Sequence, residues 1–411
     1  MKHRYLTLAL AARAVAAAAQ APPAPEPAAP VYTKQEVSQT TIRLLLSHYA
    51  QTGNHSAVTG GTGTEALRVQ AQELAITHQP DSANTFQLAA GVDVITSAST
   101  DNIDYVLSSA SRVDNRAHLN VGYQRQRPGG RVSVGAQTGF SLESDYFSLP
   151  VGASVAHRRA DGAREVTVGV QAYFDDLRWG RVNPGYYRPV KLIYPVELRN
   201  QEWLDGYRRT SLNLSTALYQ VINRRTRLAV YPELAYQQGI LSTPFHRVYF
   251  NDALRTVRVE KLPGRRWKVP LGAQLNWFAT DRVVLRAYYR YYWDSFGIRA
   301  HTAQLEAPVR LGAFFTASPL LRLYAQSAAR YFRPYAAHDP DAAFYTSDYD
   351  LSAFRSYNLA LTLRYAPHRA LAGRYAWEAL ALRYSYYHRS DQLAAHNVSL
   401  VVDVLRTKVR E

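Results

Sequence analysis

The stretch Trp267-Lys268-Val269-Pro270-Leu271-Gly272-Ala273-Gln274-Leu275-Asn276-Trp277 divides by parity. Odd positions carry Trp267, Val269, Leu271, Ala273, Leu275 and Trp277, whereas Lys268, Gln274 and Asn276 fall on even ones. Successive side chains of a strand point to opposite faces, so this reads as a β-strand with one apolar and one polar face. At about 3.3 Å per residue, the distance from Trp267 to Trp277 is roughly 33 Å along the strand. A tilt near 40° projects that to about 25 Å, the height of the apolar band on a transmembrane barrel.

The same division recurs along the chain. Val283, Leu285, Ala287, Tyr289, Tyr291 and Trp293 alternate with residues that include Arg286, Arg290 and Asp294. Segments with this period span approximately 40–50, 65–78, 85–95, 116–126, 131–142, 150–158, 164–174, 207–221, 226–237, 266–279, 282–293, 303–315, 320–332, 354–365, 374–387 and 396–405. The connections alternate in length. Short ones fall at 79–84, 127–130, 159–163, 222–225, 280–281, 316–319 and 366–373. Between them lie mostly longer ones at 51–64, 96–115, 143–149, 175–206, 238–265, 294–302, 333–353 and 388–395. An outer-membrane barrel sorts its connections this way, with short periplasmic turns and long outer loops. A soluble sandwich has no reason to. An even strand count places both termini on the short-turn side.

Composition bounds the chemistry. The chain has no Cys, which excludes disulfides, thiolate metal sites, cysteine nucleophiles and a lipid-anchored cysteine. Tyr outnumbers Phe 30 to 13, and tyrosine suits both half-buried strands and the wet edge of a membrane. The net charge of +16 fits nucleic acid or anionic lipid head groups. Residues 1–19 read as a signal peptide, with Lys2, His3 and Arg4 before an apolar run and Ala17-Ala18-Ala19 as the cleavage site. Residues 20–38 form a Pro/Ala-rich linker, and 39–411 form the barrel. No run of about 18 uncharged apolar residues follows, so no transmembrane helix is expected, which leaves a barrel open.

Candidate sites are few. No nucleophile elbow, P-loop, dinucleotide motif or zinc-type His-Glu-x-x-His is present. No catalytic residue or cofactor is expected. Gly60-Gly61-Thr62-Gly63-Thr64 reads as a flexible outer loop. Oxygen ligands at Asp101, Asn102 and Asp104 could hold calcium or simply hydrogen-bond within their loop. Asp175 and Asp176 beside Arg178 and Arg181 form an ion-pair cluster that either folds the long loop 175–206 into the barrel mouth or contacts a ligand. Arg286 and Arg290 should line the lumen, in a mixed lining that also includes Arg322, Arg330, Arg364, Arg383, Asp93, Glu143, Glu165, Glu233 and Glu306. Trp267, Trp277, Tyr289, Tyr291 and Trp293 should face lipid, with Trp267 and Trp277 at its two interfaces; Tyr357 and Tyr365 bracket three leucines in the same way. The arginines of loops 175–206 and 238–265 suit phosphates of outer-leaflet glycolipid. A secreted barrel does not normally meet nucleic acid, which is not expected as a partner.

Four stretches carry a family resemblance. They are His48-Tyr49 with Gly53-Asn54-His55-Ser56 through Glu65, then Asp93 to Asp104, Ser108 to Asp114, and Phe174-Asp175-Asp176-Leu177-Arg178-Trp179-Gly180-Arg181. The chain resembles a domain-of-unknown-function family of Gram-negative outer-membrane β-barrel proteins over nearly its whole mature length. The resemblance implies a cell-envelope barrel, and it implies a periplasmic flavin transferase or a thioredoxin-like protein as a partner in envelope redox chemistry. It carries over no catalytic residues.

The expectation is an all-β chain: a single transmembrane antiparallel meander β-barrel of about 16 strands in the bacterial outer membrane. A polar lining suits a channel or transport pore. The alternatives are a structural or docking component of an envelope complex, and an outer-membrane enzyme.

Overall fold

The first and last strands pair along their whole length, from Val37 opposite Val409 to Thr52 opposite Ala394. β1 (Val37–Thr52) also pairs with β2 (Leu67–Gln79), so the sheet closes on itself. The computed structural model describes residues 37–97, 113–143, 146–177, 208–243 and 246–409. The expected signal peptide, most of the expected linker and the candidate calcium ligands Asp101, Asn102 and Asp104 lie outside them.

Every neighbouring pair in the closed sheet is antiparallel and follows chain order. After β1 and β2 come β3 (Asn84–Ser97), β4 (Val113–Gln126), β5 (Val132–Leu142), β6 (Phe147–Arg158), β7 (Arg164–Asp176), β8 (Arg208–Asn223) and β9 (Thr226–Gly239). A small hairpin outside the barrel, β10 (Arg247–Tyr249) with β11 (Val257–Val259), interrupts the sequence. The barrel resumes with β12 (Arg265–Phe278), β13 (Val284–Asp294), β14 (Arg299–Glu306), β15 (Val309–Arg310), β16 (Phe315–Gln326), β17 (Phe354–Tyr365), β18 (Arg369–Ala372), β19 (Tyr375–Arg389) and β20 (Ala394–Val409). Eighteen strands form this sheet. β15 continues β14 past Pro308, and β18 continues β17 past Pro367, so they make sixteen staves. A barrel leaves no sheet edge, so every backbone ladder is satisfied without water.

At one end all connections between staves are tight: 80–83, 127–131, 159–163, 224–225, 279–283, 311–314 and 373–374. Both termini of the barrel lie at this end. The other end carries the long loops, 53–66, 240–264 and 327–353 among them, but also tight connections at 295–298 and 390–393. The sorting of loop lengths is therefore one-sided rather than strict.

The two faces of the wall differ. Trp267, Val269, Leu271, Leu275 and Trp277 form one exposed row on β12, with Trp267 at 46% and Trp277 at 45% exposure. Their cross-strand partners on β13, Trp293, Tyr291 and Leu285, share that face. The opposite face of the same strands holds Arg266, Gln274, Arg286, Arg290 and Asp294, and it carries the ion pairs. A wall with an apolar outside and a polar inside is the inverse of a water-soluble protein, and lipid on the outside satisfies it. Aromatic side chains mark both ends of the outer face. Trp267 packs on Tyr236, with ring centroids 4.5 Å apart, near the loop end. Phe86 packs on Tyr123 (5.0 Å) and Phe315 on Tyr365 (4.7 Å) near the turn end.

Three strand expectations need correction. β1 begins at Val37, inside the stretch read as linker. The segments expected at 303–315 and 320–332 lie several residues earlier, as β14–β15 and β16. Thr316 to Pro319 looked like a turn, but Pro319 sits in a strand opposite Leu361, and its carbonyl accepts the Ala307 N–H. Half of the connection expected at 366–373 is strand, Arg369–Ala372, and the turn itself falls at Gly373, whose φ of 54° is left-handed.

Candidate functional site

The lumen wall is built from the polar parity of each stave, because alternate residues must face inward. Arg43 on β1 binds Asp403 on β20 at 2.6 Å, and the partners sit directly across the strand pair. Arg286 reaches Glu306 at 3.3 Å and Arg290 reaches Glu233 at 3.3 Å. Asp175 is buried, receives the Tyr146 hydroxyl at 2.9 Å, and pairs with Arg209 of β8 at 2.7 Å. Asp176, the next residue, falls on the opposite parity. Arg178 and Arg181, expected to pair with these acids, lie outside the described residues.

Not every lumen charge is matched. Arg322 on β16, Arg364 on β17 and Arg383 on β19 belong to the inward parity of three adjacent staves. All three are exposed, and none has an acidic partner within ion-pair distance among the described residues. Arg330, expected with them, sits instead in the outer loop, where it donates to the Ser295 carbonyl.

Over the loop end of the lumen lies a packed cap. Val248 and Phe250 of the β10–β11 hairpin are fully buried against Tyr345. Paired backbone bonds join the hairpin loop to loop 327–353: Lys261 N–H to the Tyr345 carbonyl at 3.1 Å, and the reverse bond at 2.8 Å. A second cluster of Leu262, Phe296, Ile298, Ala329 and Phe332 packs against Tyr292 and Tyr324, which both face the lumen. The cap is also tied to the wall by polar groups. Gln326 donates to the Ser352 carbonyl at 2.6 Å, and Arg389 to the Tyr349 carbonyl at 2.8 Å and to Asp350. Asp294, with no exposed surface, accepts Arg266, the Tyr292 hydroxyl at 2.9 Å and the Ile298 N–H at 3.1 Å.

The Gly60-Gly61 loop, expected to be flexible, is part of this cap. His55 stacks on Tyr349 with centroids 3.8 Å apart. Gly60 and Gly61 are buried, with φ of 80° and 90°. A Cβ on Gly61 would meet the Ser347 carbonyl oxygen at 2.8 Å, so the close approach requires glycine.

Inside the cap, His246, Glu260 and Asp348 converge. Glu260 is 1% exposed; it accepts the Thr243 N–H at 2.6 Å and the Thr346 hydroxyl. Burial lowers the pKa of His246, but the Glu260 and Asp348 carboxylates outweigh it, and the net shift is upward. Burial pushes Asp348 up to about 6, opposed by His246 and reinforced by Asp350 and Glu260. This cluster is not among the sites expected from the sequence. Its members are 14 and 88 residues apart in the chain, and no local motif joins them. The one available signal was Val248, Phe250, Val257 and Val259, apolar residues too densely placed for a solvated loop.

The remaining expected residues are placed as follows. Trp267, Trp277 and Trp293 are exposed on the outer face, as are Tyr289 and Tyr357; Tyr365 shares their parity and is half-buried against Phe315.

No curated protein matches the chain. Among solved structures it is similar to the outer membrane protein OpdK of Pseudomonas aeruginosa, at 10% identity and a TM-score of 0.41, over 90% of this chain and 99% of that one. It is similar also to a BenF-like porin of Pseudomonas fluorescens Pf-5, at 8% identity and 0.41, over 90% and 99%. A bacterial polysaccharide outer membrane secretin gives 8% identity and 0.44, over 89% and 97%. Nothing about a solute passes from such distant proteins to this one. A sequence family matches the chain across residues 7–400. The chain belongs to that family, described as "Protein of unknown function (DUF3570)".

Proposed function

We propose that this protein is an outer-membrane channel whose lumen favours anions and whose outer mouth is restricted by the cap. The observation that carries this reading is the uncompensated arginine set Arg322, Arg364 and Arg383 on an inward wall whose other described charges are largely paired. Unpaired guanidinium groups facing a lumen with low-dielectric walls raise the local concentration of anions. The apolar outer face with aromatic residues at both ends supports a membrane setting. The cap supports gating, because it rests on lumen-facing Tyr292, Tyr324, Gln326 and Arg389 rather than on the outer rim alone.

Planar-bilayer recording under a salt gradient tests the reading. The wild-type protein should give discrete current steps with a reversal potential favouring anions. Arg322→Glu together with Arg383→Glu should move that potential toward cations. Absence of current steps from wild type and from a variant with residues 334–345 replaced by a short Gly/Ser link would end the channel reading. An unchanged reversal potential would end the anion preference.

A further inference from the structure

The cap contains three metal-ligand side chains that the barrel itself does not need. His246 comes from the segment entering the β10–β11 hairpin, Glu260 from the segment leaving it, and Asp348 from loop 327–353. One ligand atom from each lies within 4.8 Å of the others. His246 Nδ1 is 3.7 Å from Glu260 Oε1 and 3.8 Å from Asp348 Oδ2. Nδ1 is buried and has no hydrogen-bond partner among the described residues.

These distances discriminate between two occupants. A proton shared by imidazolium and carboxylate would draw nitrogen and oxygen to about 2.7–2.9 Å. One metal ion bound tetrahedrally at about 2.0–2.2 Å holds its ligand atoms about 3.3–3.6 Å apart. The observed spans of 3.7 and 3.8 Å are far too long for the first and lie within a few tenths of an ångström of the second. Two carboxylates facing one imidazole in a buried setting carry negative charge that a cation would offset. An imidazole nitrogen with two carboxylate oxygens suits zinc and its first-row neighbours, whereas calcium and magnesium prefer oxygen alone. The supporting bonds are those a metal ligand has: Glu260 is oriented by the Thr243 N–H and the Thr346 hydroxyl. His246 and Asp348 are 19% and 24% exposed as side chains, so water can reach a fourth coordination position.

We propose that His246, Glu260 and Asp348 bind one divalent first-row transition-metal ion of the zinc class, which staples the β10–β11 loop to loop 327–353. The site stands apart from the channel reading, since it can be measured whether or not the lumen conducts.

The test is zinc titration by calorimetry of the full-length protein, folded in detergent micelles and stripped with a chelator. One zinc per chain is expected. Asp348→Asn and His246→Gln should each weaken binding by roughly 100-fold or more, since even supporting partners of a ligand are worth 10–100-fold. His338→Gln alters another cap histidine, one whose Nε2 lies 3.0 Å from the Thr346 carbonyl and which is not a member of the site, and should leave affinity unchanged. If His246→Gln does not fold, judged by loss of heat-modifiable migration, the partly exposed Asp348→Asn variant decides alone. No zinc bound by wild type overturns the proposal. So does zinc bound equally well by Asp348→Asn, which would mark an adventitious surface histidine.

Discussion

Asp294 shows how much one buried carboxylate can hold. It closes β13, carries no exposed surface, and gathers Arg266, Tyr292 and Ile298 around it. Replacing it with Ala would leave the Arg266 guanidinium, itself mostly enclosed, without its counter-charge. Removing one member of a buried pair costs about 3–5 kcal/mol. We expect Asp294→Ala to lower the urea midpoint of the refolded barrel by an amount corresponding to that range. Glu165→Ala breaks the Arg158–Glu165 pair, whose arginine side chain is 52% exposed, and exposed pairs are worth at most about 1 kcal/mol. Equal losses from the two variants would show that burial does not set the difference. At this scale little was legible in advance. The parity of Asp294 was readable, but two of its partners come from the far side of a turn or of the neighbouring strand, and the cap that buries it is not local in sequence.

Among the elements, β12 was the most legible, because its period of two spans the full wall and its ends are marked by tryptophan. Its two faces make a sharp prediction. Leu271 lies near the middle of the outer row at 49% exposure, so Leu271→Lys should cost about 2–4 kcal/mol in a lipid bilayer. Gln274→Lys, on the inner face, should cost far less. Unfolding in phospholipid vesicles measures both, and the reverse order would mean that the faces are exchanged. The β14 to β16 region was misread for a physical reason. Proline normally marks a turn or an edge, yet a strand tolerates it where the missing N–H falls outside a ladder bond. Pro308 breaks the stave between β14 and β15, whereas Pro319 is carried within β16. Placing the turn at Pro319 shifted both neighbouring segments by a few residues. The β10–β11 hairpin was missed because strands of three residues are too short to show a period.

For the whole molecule, the alternation of connections and the parity of long segments carried the architecture: a closed meander with both termini of the barrel on the tight-turn side. These are properties that bilayer thickness and the two-residue repeat impose on every stave, so they recur often enough to be read without coordinates. The cap has no such repeat. It is assembled from the connections 53–66, 240–264, 295–298 and 327–353, whose contacts, such as His55 on Tyr349 and Lys261 with Tyr345, join distant parts of the chain. In the sequence its parts read as a flexible glycine-rich loop at Gly60 to Thr64, a basic loop at 238–265 and a long connection at 333–353.

If this protein is a channel, the inner face of its wall lines an aqueous conducting path. The chain has no native cysteine, so a single introduced thiol reports without background. Current through Gln274→Cys and Leu275→Cys barrels can be recorded in planar bilayers before and after a charged, membrane-impermeant thiol reagent. Adjacent residues on β12 face opposite sides of the wall, so the reagent should alter the current of Gln274→Cys and leave that of Leu275→Cys unchanged. An unaltered Gln274→Cys current, or an equal effect on both, would contradict it.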